Sequence, residues 1–570
     1  KNLGIRVKMM NRKVIVSLPR FPSRKLFSNN ARLIPKDGLE LSDFIEFNKQ
    51  DKPAENLIPS HSISTVTFHI KTYGCQMNVS DSDIVRGLLL EKGMREVPTE
   101  RDASILLTNT CAIREGAEVK VWNRLRQIKS EKRNQVVGVL GCMAERLKHN
   151  LLQDGLADLV VGPDAYRDLP RLIDALVHHD EETAVNVQLS LEETYADVRP
   201  VRKNPQDISA FVSVMRGCNN MCSYCVVPFT RGRERSRPFE SIVSEIKHLV
   251  EEENVKEVVL LGQNVNSYHD KSDSAVQLKP QAAYRVSNEG FSNLYRLRGG
   301  PGFYFVDLVE AVSDLSPELR VRFTSPHPKD YPSDLLQLMA ERQNVCSQLH
   351  LPAQSGNTAV LDRMRRGYSR EAYLQLIEDV RTTIPDVAIS SDFIAGFCGE
   401  TEEEHQDTLS LMESVEYDQA YMFAYSMREK THAHRTLADD VPSGIKGRRL
   451  QEIIDVFRNK VHQRNERIEV GRFRLVLVEG ESKRSSVDNV VWSGRTDQNK
   501  RVLFPRHPCY SSIHDPVLVD IQKGDYVVVQ ISEAKGHTLR GRAVCRTKLS
   551  EYNAVTDVQW QDLLLQLSTQ

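Results

Sequence analysis

The chain has 570 residues, 40% hydrophobic and 27% charged, enough apolar material for three or four domains with normal cores and no need of disulfides. No apolar run approaches the roughly 18 to 20 residues needed to span a bilayer, so a chain that crosses one as helices is excluded. Its ten cysteines are too sparse for a disulfide scaffold, and their small clusters point to metal or redox chemistry.

The net charge of −1 hides blocks of +10 over residues 1–36, −14 over 37–470, +6 over 471–548 and −3 over the tail. Each block needs its own explanation. In the first, Arg6, Lys8, Arg12, Lys13, Arg20, Arg24 and Lys25 sit between short apolar runs, with serines and no acid. That composition is expected of a mitochondrial transit segment over 1–36, with a disordered basic tail as the plain alternative. The expected location is the mitochondrial matrix, with a cytosolic or nuclear pool left open. Residues 37–64 read as a polar linker.

From 65 to 185 short β-rich runs alternate with amphipathic stretches. Strands are expected at 66–71, 104–110, 135–140 and 159–161, and helices at 81–92, 115–130 and 144–152. This alternation implies a doubly wound parallel sheet. Cys75, Cys111 and Cys142 follow the first three strands, and ligands in such sheets bind beyond the carboxyl ends of strands. Three thiolates there suit an iron–sulfur cluster with one open iron, or a zinc with one open position, and geometry alone does not choose. The plain alternative is three buried thiols acting as small hydrophobes.

The run Met215-Arg216-Gly217-Cys218-Asn219-Asn220-Met221-Cys222-Ser223-Tyr224-Cys225 follows an apolar strand at 210–215. Thiolates spaced CxxxCxxC on one loop can each reach a different iron of a [4Fe–4S] cluster and leave one iron open. A zinc site would more often show a second CxxC pair, which is absent.

Over 204–463, further strand patterns at 257–261, 320–324, 347–351, 388–394 and 420–425 alternate with helical ones. They imply an open, partial (βα) barrel with its chemistry at the strand carboxyl ends. Residues 269–302 are polar, rich in Gly and Pro and without a period, and are expected as an inserted surface loop. Arg231, Arg233, Arg235 and Arg237 alternate past the second triad; they either line an extended segment that binds phosphates or pair with acids of the acidic body. From 464 to 546 short β runs, at 473–479, 487–493, 501–504, 517–520, 525–533 and 538–544, imply a small β-barrel. Residues 547–570 read as a tail.

Several runs carry a family resemblance. The CxxxCxxC spacing resembles that of the radical S-adenosylmethionine enzymes. Thr72-Tyr73-Gly74-Cys75-Gln76-Met77-Asn78, Thr108-Asn109-Thr110-Cys111-Ala112-Ile113-Arg114 and Gly141-Cys142-Met143-Ala144 resemble motifs of the methylthiotransferases. So do Val226-Val227-Pro228-Phe229-Thr230-Arg231-Gly232-Arg233, Leu261-Gly262-Gln263-Asn264-Val265-Asn266-Ser267-Tyr268, His350-Leu351-Pro352-Ala353-Gln354-Ser355-Gly356 and Met364-Arg365-Arg366-Gly367-Tyr368. The matches run in order over about 67–545. Gly396-Phe397-Cys398-Gly399-Glu400-Thr401 departs at Cys398, where the family has proline; Cys398, Cys346, Cys509 and Cys545 are expected as inert buried thiols. The C-terminal barrel resembles the TRAM module of RNA-modifying enzymes, and its positive balance suits salt-dependent contact with an RNA backbone.

The resemblance implies that Cys75, Cys111 and Cys142 hold an auxiliary [4Fe–4S] cluster that presents sulfur. Cys218, Cys222 and Cys225 would hold the radical-generating [4Fe–4S] cluster, whose open iron binds S-adenosyl-L-methionine. One S-adenosylmethionine gives a methyl group; a second gives a radical that removes hydrogen from an unactivated carbon. The radical is carried by the clusters, and no side chain is assigned as catalytic. The motif run looks like the isopentenyladenosine-tRNA branch, which implies a tRNA methylthiotransferase acting at C2 of N6-(dimethylallyl)adenosine at position 37 of mitochondrial tRNAs. The partners implied are the tRNA anticodon loop, single-stranded and so accessible at its base edges, and an electron donor. The insert and leader resemble an animal mitochondrial branch also named for association with a cyclin-dependent kinase 5 regulatory subunit. That raises a second role, regulation of this kinase through its activator subunit, for which no residue argues physically. The rivals are a sister enzyme acting on threonylcarbamoyl-adenosine or a ribosomal-protein aspartate, and a non-catalytic kinase-binding regulator.

Overall fold

The computed structural model describes residues 66–111, 115–131, 135–178, 181–281, 291, 300–483, 485–486 and 490–569. The chain divides into Lys1–His61 and Ser62–Gln570, and all described residues belong to the second unit. The transit segment and linker expected over 1–64 lie outside them.

The first domain is a sheet of six parallel strands: β1 (Thr67–Thr72), β2 (Arg95–Glu96), β3 (Ile105–Thr110), β4 (Val136–Gly141), β5 (Leu159–Val161) and β6 (Ala184–Asn186). Their order is β2-β1-β3-β4-β5-β6. Every residue of β3 is buried, as expected of a strand covered on both faces. On one face Phe68, Ile70 and Leu107 pack against Ile84 and Val85 of helix α1 (Gln76–Glu91) and against Leu172 and Ile173. On the other, Leu106, Val137 and Val139 meet Val121 and Leu125 of α2 (Glu115–Ser130) and Met143 and Leu151 of α3 (Cys142–Gln153). This is the doubly wound arrangement the sequence implies. Helix α1 begins five residues before the expected 81, because its first turns bury Asn78, Ser80 and Asp81 as well as Met77. A helix buried on polar and apolar sides alike shows no stripe in its sequence.

The central domain has two parallel half-sheets. One contains β7 (Ser209–Ser213), β8 (Glu257–Leu261) and β9 (Arg320–Phe323) in the order β9-β8-β7; the other contains β10 (Gln348–His350), β11 (Ala388–Ala395) and β12 (Gln419–Ala424) in chain order. A parallel bridge between Val321 and Val345 joins them, giving an open six-stranded barrel. Ala210, Val212, Val258, Leu260, Val321, Leu349, Ile389 and Phe393 pack outward with helix residues such as Ile242, Leu308, Leu376 and Phe457. The intervening positions, including Phe211, Val259, Leu261, His350 and Asp392, alternate to the inner face.

The insert corrects the expectation of a plain surface loop. His269–Asp270 pairs antiparallel with Phe303–Tyr304, Asp273–Leu278 is helical, and buried Phe291 bridges to Tyr368. Residues 282–290 and 292–299 lie outside the described residues.

The C-terminal sheet has seven strands, β13 (Phe473–Glu481), β14 (Val491–Thr496), β15 (Arg501–Pro505), β16 (Cys509–Ser512), β17 (Asp515–Val519), β18 (Tyr526–Lys535) and β19 (Thr538–Arg546). A parallel pairing of β15 with β19 closes five of them into a barrel. Register shifts near Val478, Val528 and Ile531 bend the strands as closure requires. Strand β16 was not expected, and the strand expected at 487–493 lies at Val491–Thr496. This barrel caps the amino-terminal ends of the central strands. Arg320 donates to the carbonyls of Leu475 and Arg495 at 2.8 Å each. Arg322 donates to Glu257 at 2.8 Å and to the carbonyls of Thr496 and Asp497 at 2.8 and 2.6 Å.

The last residues are not a free tail. Helix α4 (Asp557–Thr569) buries Trp560, Leu563 and Leu564 against Tyr510, Tyr526 and Val544 of the barrel. Trp560 is 1% exposed, and truncating a buried tryptophan costs about 3–5 kcal/mol. Urea unfolding of Trp560→Ala should lower the stability of the C-terminal barrel by that amount; an unchanged midpoint would contradict this docking.

Candidate metal centres

Strands β1, β3 and β4 are neighbours, so their carboxyl ends lie roughly 4.8 Å apart in sequence of pairing. Each is followed by one cysteine of the first triad. Cys75 caps α1, Cys111 follows β3, and Cys142 opens α3. The Cys75 and Cys111 side chains are hydrogen-bonded to each other. Gly74, at φ +128°, permits this approach: a Cβ there would stand 2.5 Å from Cys111 Cβ.

A polar network ties the strand ends together. Asn78 Oδ1 accepts from the Cys75 backbone N–H at 3.3 Å, and its Nδ2 donates to Asn109 Oδ1 at 3.1 Å and to the Thr110 carbonyl at 3.2 Å. Asn109 Nδ2 donates to the Asn78 carbonyl and to Ser82 Oγ, both at 3.0 Å. The quoted motifs contain both asparagines, but their 31-residue pairing has no local signal.

The hydrogen bond from Cys111 brings the Cys75 thiol down to about 6, against its burial and with help from Arg231 and the α1 backbone N–H groups. Burial pushes the Cys142 thiol up, and Arg231 opposes it.

The second triad lies on the loop after β7 and Met215–Arg216. Gly217, at φ +74°, makes the loop's entry turn, where a Cβ would come within 2.0 Å of the Arg233 carbonyl oxygen. Its N–H donates to Gln263 Oε1 at 2.6 Å. Arg366 supports the middle cysteine. It donates to Cys222 Sγ at 3.4 Å, to Tyr368 Oη at 3.0 Å and to the Pro352 carbonyl at 2.8 Å. Ser223 is held by the carbonyls of Met364 and Arg363. The later motifs, remote in sequence, thus buttress the CxxxCxxC loop. Burial and the neighbouring thiols push Cys218 and Cys225 up, Cys225 to about 12.

These residues suit bound clusters. Six of the ten cysteines sit at strand carboxyl ends in two groups, and the buried donors Asn220 Nδ2 and Gln263 Nε2 have no protein partner. Among the described residues, no three His, Cys, Asp or Glu side chains are arranged for a single metal ion. A cubane differs in that each thiolate takes its own iron. Cys346, Cys398, Cys509 and Cys545 are buried, Cys398 in the apolar cluster on which Tyr224 of the second triad's loop packs, and burial raises each thiol.

Both triads border the barrel interior. Cys75 and Met77 pack on Phe211, Val259 and Leu261 of the inner face, and Cys142 packs on Val226 next to Cys225. On the facing half-sheet, His350 lies 3.3 Å from Asp392 and 3.0 Å from Ser390 Oγ, beside Tyr421, which is 38% exposed.

The alternating arginines resolve toward pairing. Arg231 meets Asp81 at 2.6 Å, Arg235 meets Asp164 at 2.7 Å, and Arg237 meets Glu245 at 2.5 Å; Arg233 is exposed. Asp81 also holds Arg216 at 2.8 Å. Burial alone would raise the Asp81 carboxyl, but Arg231 and Arg216 hold it below the usual range. Removing one member of a buried ion set costs about 3–5 kcal/mol, because its partners stay buried and uncompensated. Asp81→Ala should therefore lose about that much stability in denaturant titration, and a loss below about 1 kcal/mol, the surface-pair range, would contradict a locked interface.

Family models match this chain as the uncharacterized protein family UPF0004 over residues 67–162, the radical SAM superfamily over 212–412 and the TRAM domain over 467–544. The mitochondrial tRNA methylthiotransferase CDK5RAP1 of Mus musculus is 51% identical, covering 85% of this chain and 82% of its own length. The protein of that name from Homo sapiens is 50% identical, with 85% and 83% covered. The tRNA-2-methylthio-N(6)-dimethylallyladenosine synthase of Chloroherpeton thalassium is 44% identical, with 87% and 100% covered. Among solved structures, the radical S-adenosylmethionine methyltransferase TsrM of Kitasatospora setae matches at TM-score 0.42 and 12% identity over 63% of this chain and 72% of its own. Joined to two cysteine triads that border one barrel interior, the family models and the three relatives at 44–51% identity show that the chain belongs to the radical S-adenosylmethionine tRNA methylthiotransferase family.

Proposed function

We propose that the enzyme converts N6-(dimethylallyl)adenosine at position 37 of mitochondrial tRNAs to its 2-methylthio form. In this reading Cys75, Cys111 and Cys142 hold an auxiliary [4Fe–4S] cluster, and Cys218, Cys222 and Cys225 hold the one that binds S-adenosylmethionine. The observation that carries it is that both triads line the same barrel interior, Cys75 on its inner wall and Cys142 against Val226. When bound, the clusters and S-adenosylmethionine supply the sulfur, the methyl group and the radical that removes hydrogen from C2.

The protein's own part is positional. Arg366 and Ser223 fix the second triad's loop, and Asn78 and Asn109 fix the first. Burial of Cys111, Cys142, Cys218 and Cys222 keeps water from the sulfurs. The Asp392 carboxylate and Tyr421 ring on the opposite wall offer an acceptor and an aromatic surface of the kind that receives an unpaired base.

The domain limits of this reading are 65–185, 204–463 and 464–546, and each family match falls within one of them. Residues 464–546 would bring the tRNA backbone to the enzyme. Their positive balance makes affinity fall steeply with salt, and a slope near zero in a log–log plot of affinity against salt would remove this module from RNA binding. The relatives named as mitochondrial and the basic leader support a mitochondrial, matrix location. An external electron donor is required by the chemistry. The kinase-regulating role rests on the relatives' name alone.

The test is a side-by-side assay of the anaerobically reconstituted enzyme on three substrates: a stem-loop with dimethylallyl-adenosine, one with threonylcarbamoyl-adenosine, and a ribosomal-protein peptide with the target aspartate. Methylthiolation of the first alone is expected. Preference for either other substrate moves the chain to a sister activity, and no product from any of them favours the regulator reading.

A further inference from the structure

Arg231 reaches from the second triad's segment into the first triad. Its Nε donates to Cys142 Sγ at 3.1 Å, and its Nη2 donates to Asp81 Oδ2 at 2.6 Å. Asp81 holds Arg216 on its other oxygen at 2.8 Å, and Arg216 stands two residues before Cys218. The face of the Tyr195 ring lies 4.7 Å from that second guanidinium, and Tyr166 Oη donates to Asp81 Oδ2 at 3.5 Å. Arg231 is 3% exposed, Arg216 2% and Asp81 0%. A continuous buried chain therefore runs from the Cys142 sulfur through Arg231, Asp81 and Arg216 to the backbone that leads into Cys218.

The charges of this chain do not close around Arg231, which shares its carboxylate with Arg216. Two guanidiniums meet one buried carboxylate, and Glu193 acts on Arg216 from a half-buried position. Arg231 Nη1 is buried with no hydrogen-bond partner. Excess buried charge is costly unless compensated, and a metal-bound thiolate at Cys142 supplies the second negative charge beside Arg231. An arginine needed only to join two domains would be satisfied by Asp81; the additional hydrogen bond to a ligand sulfur is what a structural role leaves unexplained.

We propose that Arg231 is a positioning residue for the auxiliary cluster, setting its potential through the hydrogen bond to Cys142 while the Asp81–Arg216 link holds it in register with the second triad. The inference rests on the ligand assignment made above. Hydrogen bonds to cluster sulfurs tune potential: a donor stabilises the more negatively charged, reduced form, so losing it moves the potential down.

The experiment uses the full chain, reconstituted with iron and sulfide, with Cys222→Ala to silence the second triad. The first triad's potential is followed by redox titration with electron paramagnetic resonance. Arg231→Lys keeps a charge near Asp81 but lacks Nε in place. It should retain iron and shift the potential to more negative values, with an altered resonance. Arg216→Lys disturbs the same carboxylate without touching Cys142, and should leave potential and resonance where they are. Arg231→Gln covers the case in which the lysine variant fails to fold, with the same negative shift expected. Identical potentials for parent and Arg231 variants at equal iron content overturn the proposal. Equal shifts for Arg231→Lys and Arg216→Lys overturn it too, since they reduce the arginine to an interdomain brace. A parent that takes up no iron at the first triad overturns the ligand assignment itself, and the proposal with it.

Discussion

One buried carboxylate organises the structure. Asp81 lies on a helix of the first domain with no exposure, and both of its oxygens are taken by arginines that flank the CxxxCxxC loop of the second. A buried ion set of this kind gains little net stability, since desolvation cancels most of the attraction. It confers geometry instead, because Asp81 has to reach Arg216 with one oxygen and Arg231 with the other. Asp164 and Arg235 repeat the device nearby at 2.7 Å, each with 9% exposure or less. The same docking sets Cys142 of the first triad against Val226, next to Cys225 of the second.

The rest of the architecture follows from that constraint. The central barrel is open, and Cys75 and Met77 of the first domain cover part of its inner face. The opposite end of the same barrel is closed by the C-terminal module, which Arg320 and Arg322 fasten through backbone carbonyls. In the proposed reading, chemistry and RNA attachment occupy opposite ends of one set of parallel strands, and the tRNA would extend along the barrel to engage both. The insert supports this frame, since Phe291 packs on Tyr368, which in turn holds Arg366 beside Cys222.

Much of this was legible in the residues, for physical reasons. Strands buried on both faces read as apolar runs, so 104–110 and 159–161 matched β3 and β5 within a residue. Cysteine positions grouped the thiols into two sets, the first because each follows one of three adjacent parallel strands and the second because all three share one loop. Other features were hidden. Helix α1 buries polar residues all round its first turns, which erases the periodic signal at its start. The arginine alternation showed charge but not partner, and Asp81 lies 150 residues from Arg231. The short strands β2 and β6 are partly exposed and carry no apolar run. The C-terminal helix did carry one: Trp560, Leu563 and Leu564 have i, i+3, i+4 spacing, the mark of an amphipathic face, and reading the segment as a tail passed over it.

In the proposed reading two cysteine triads, held together by one buried ion set, act on a single adenosine. The most direct measurement is nucleoside mass spectrometry of mitochondrial tRNA from cells whose only copy carries Cys142→Ala or Cys222→Ala. Either substitution alone should abolish 2-methylthio-N6-(dimethylallyl)adenosine and leave N6-(dimethylallyl)adenosine in its place. Retention of the methylthio nucleoside in either line, with the variant at normal abundance, would contradict the account.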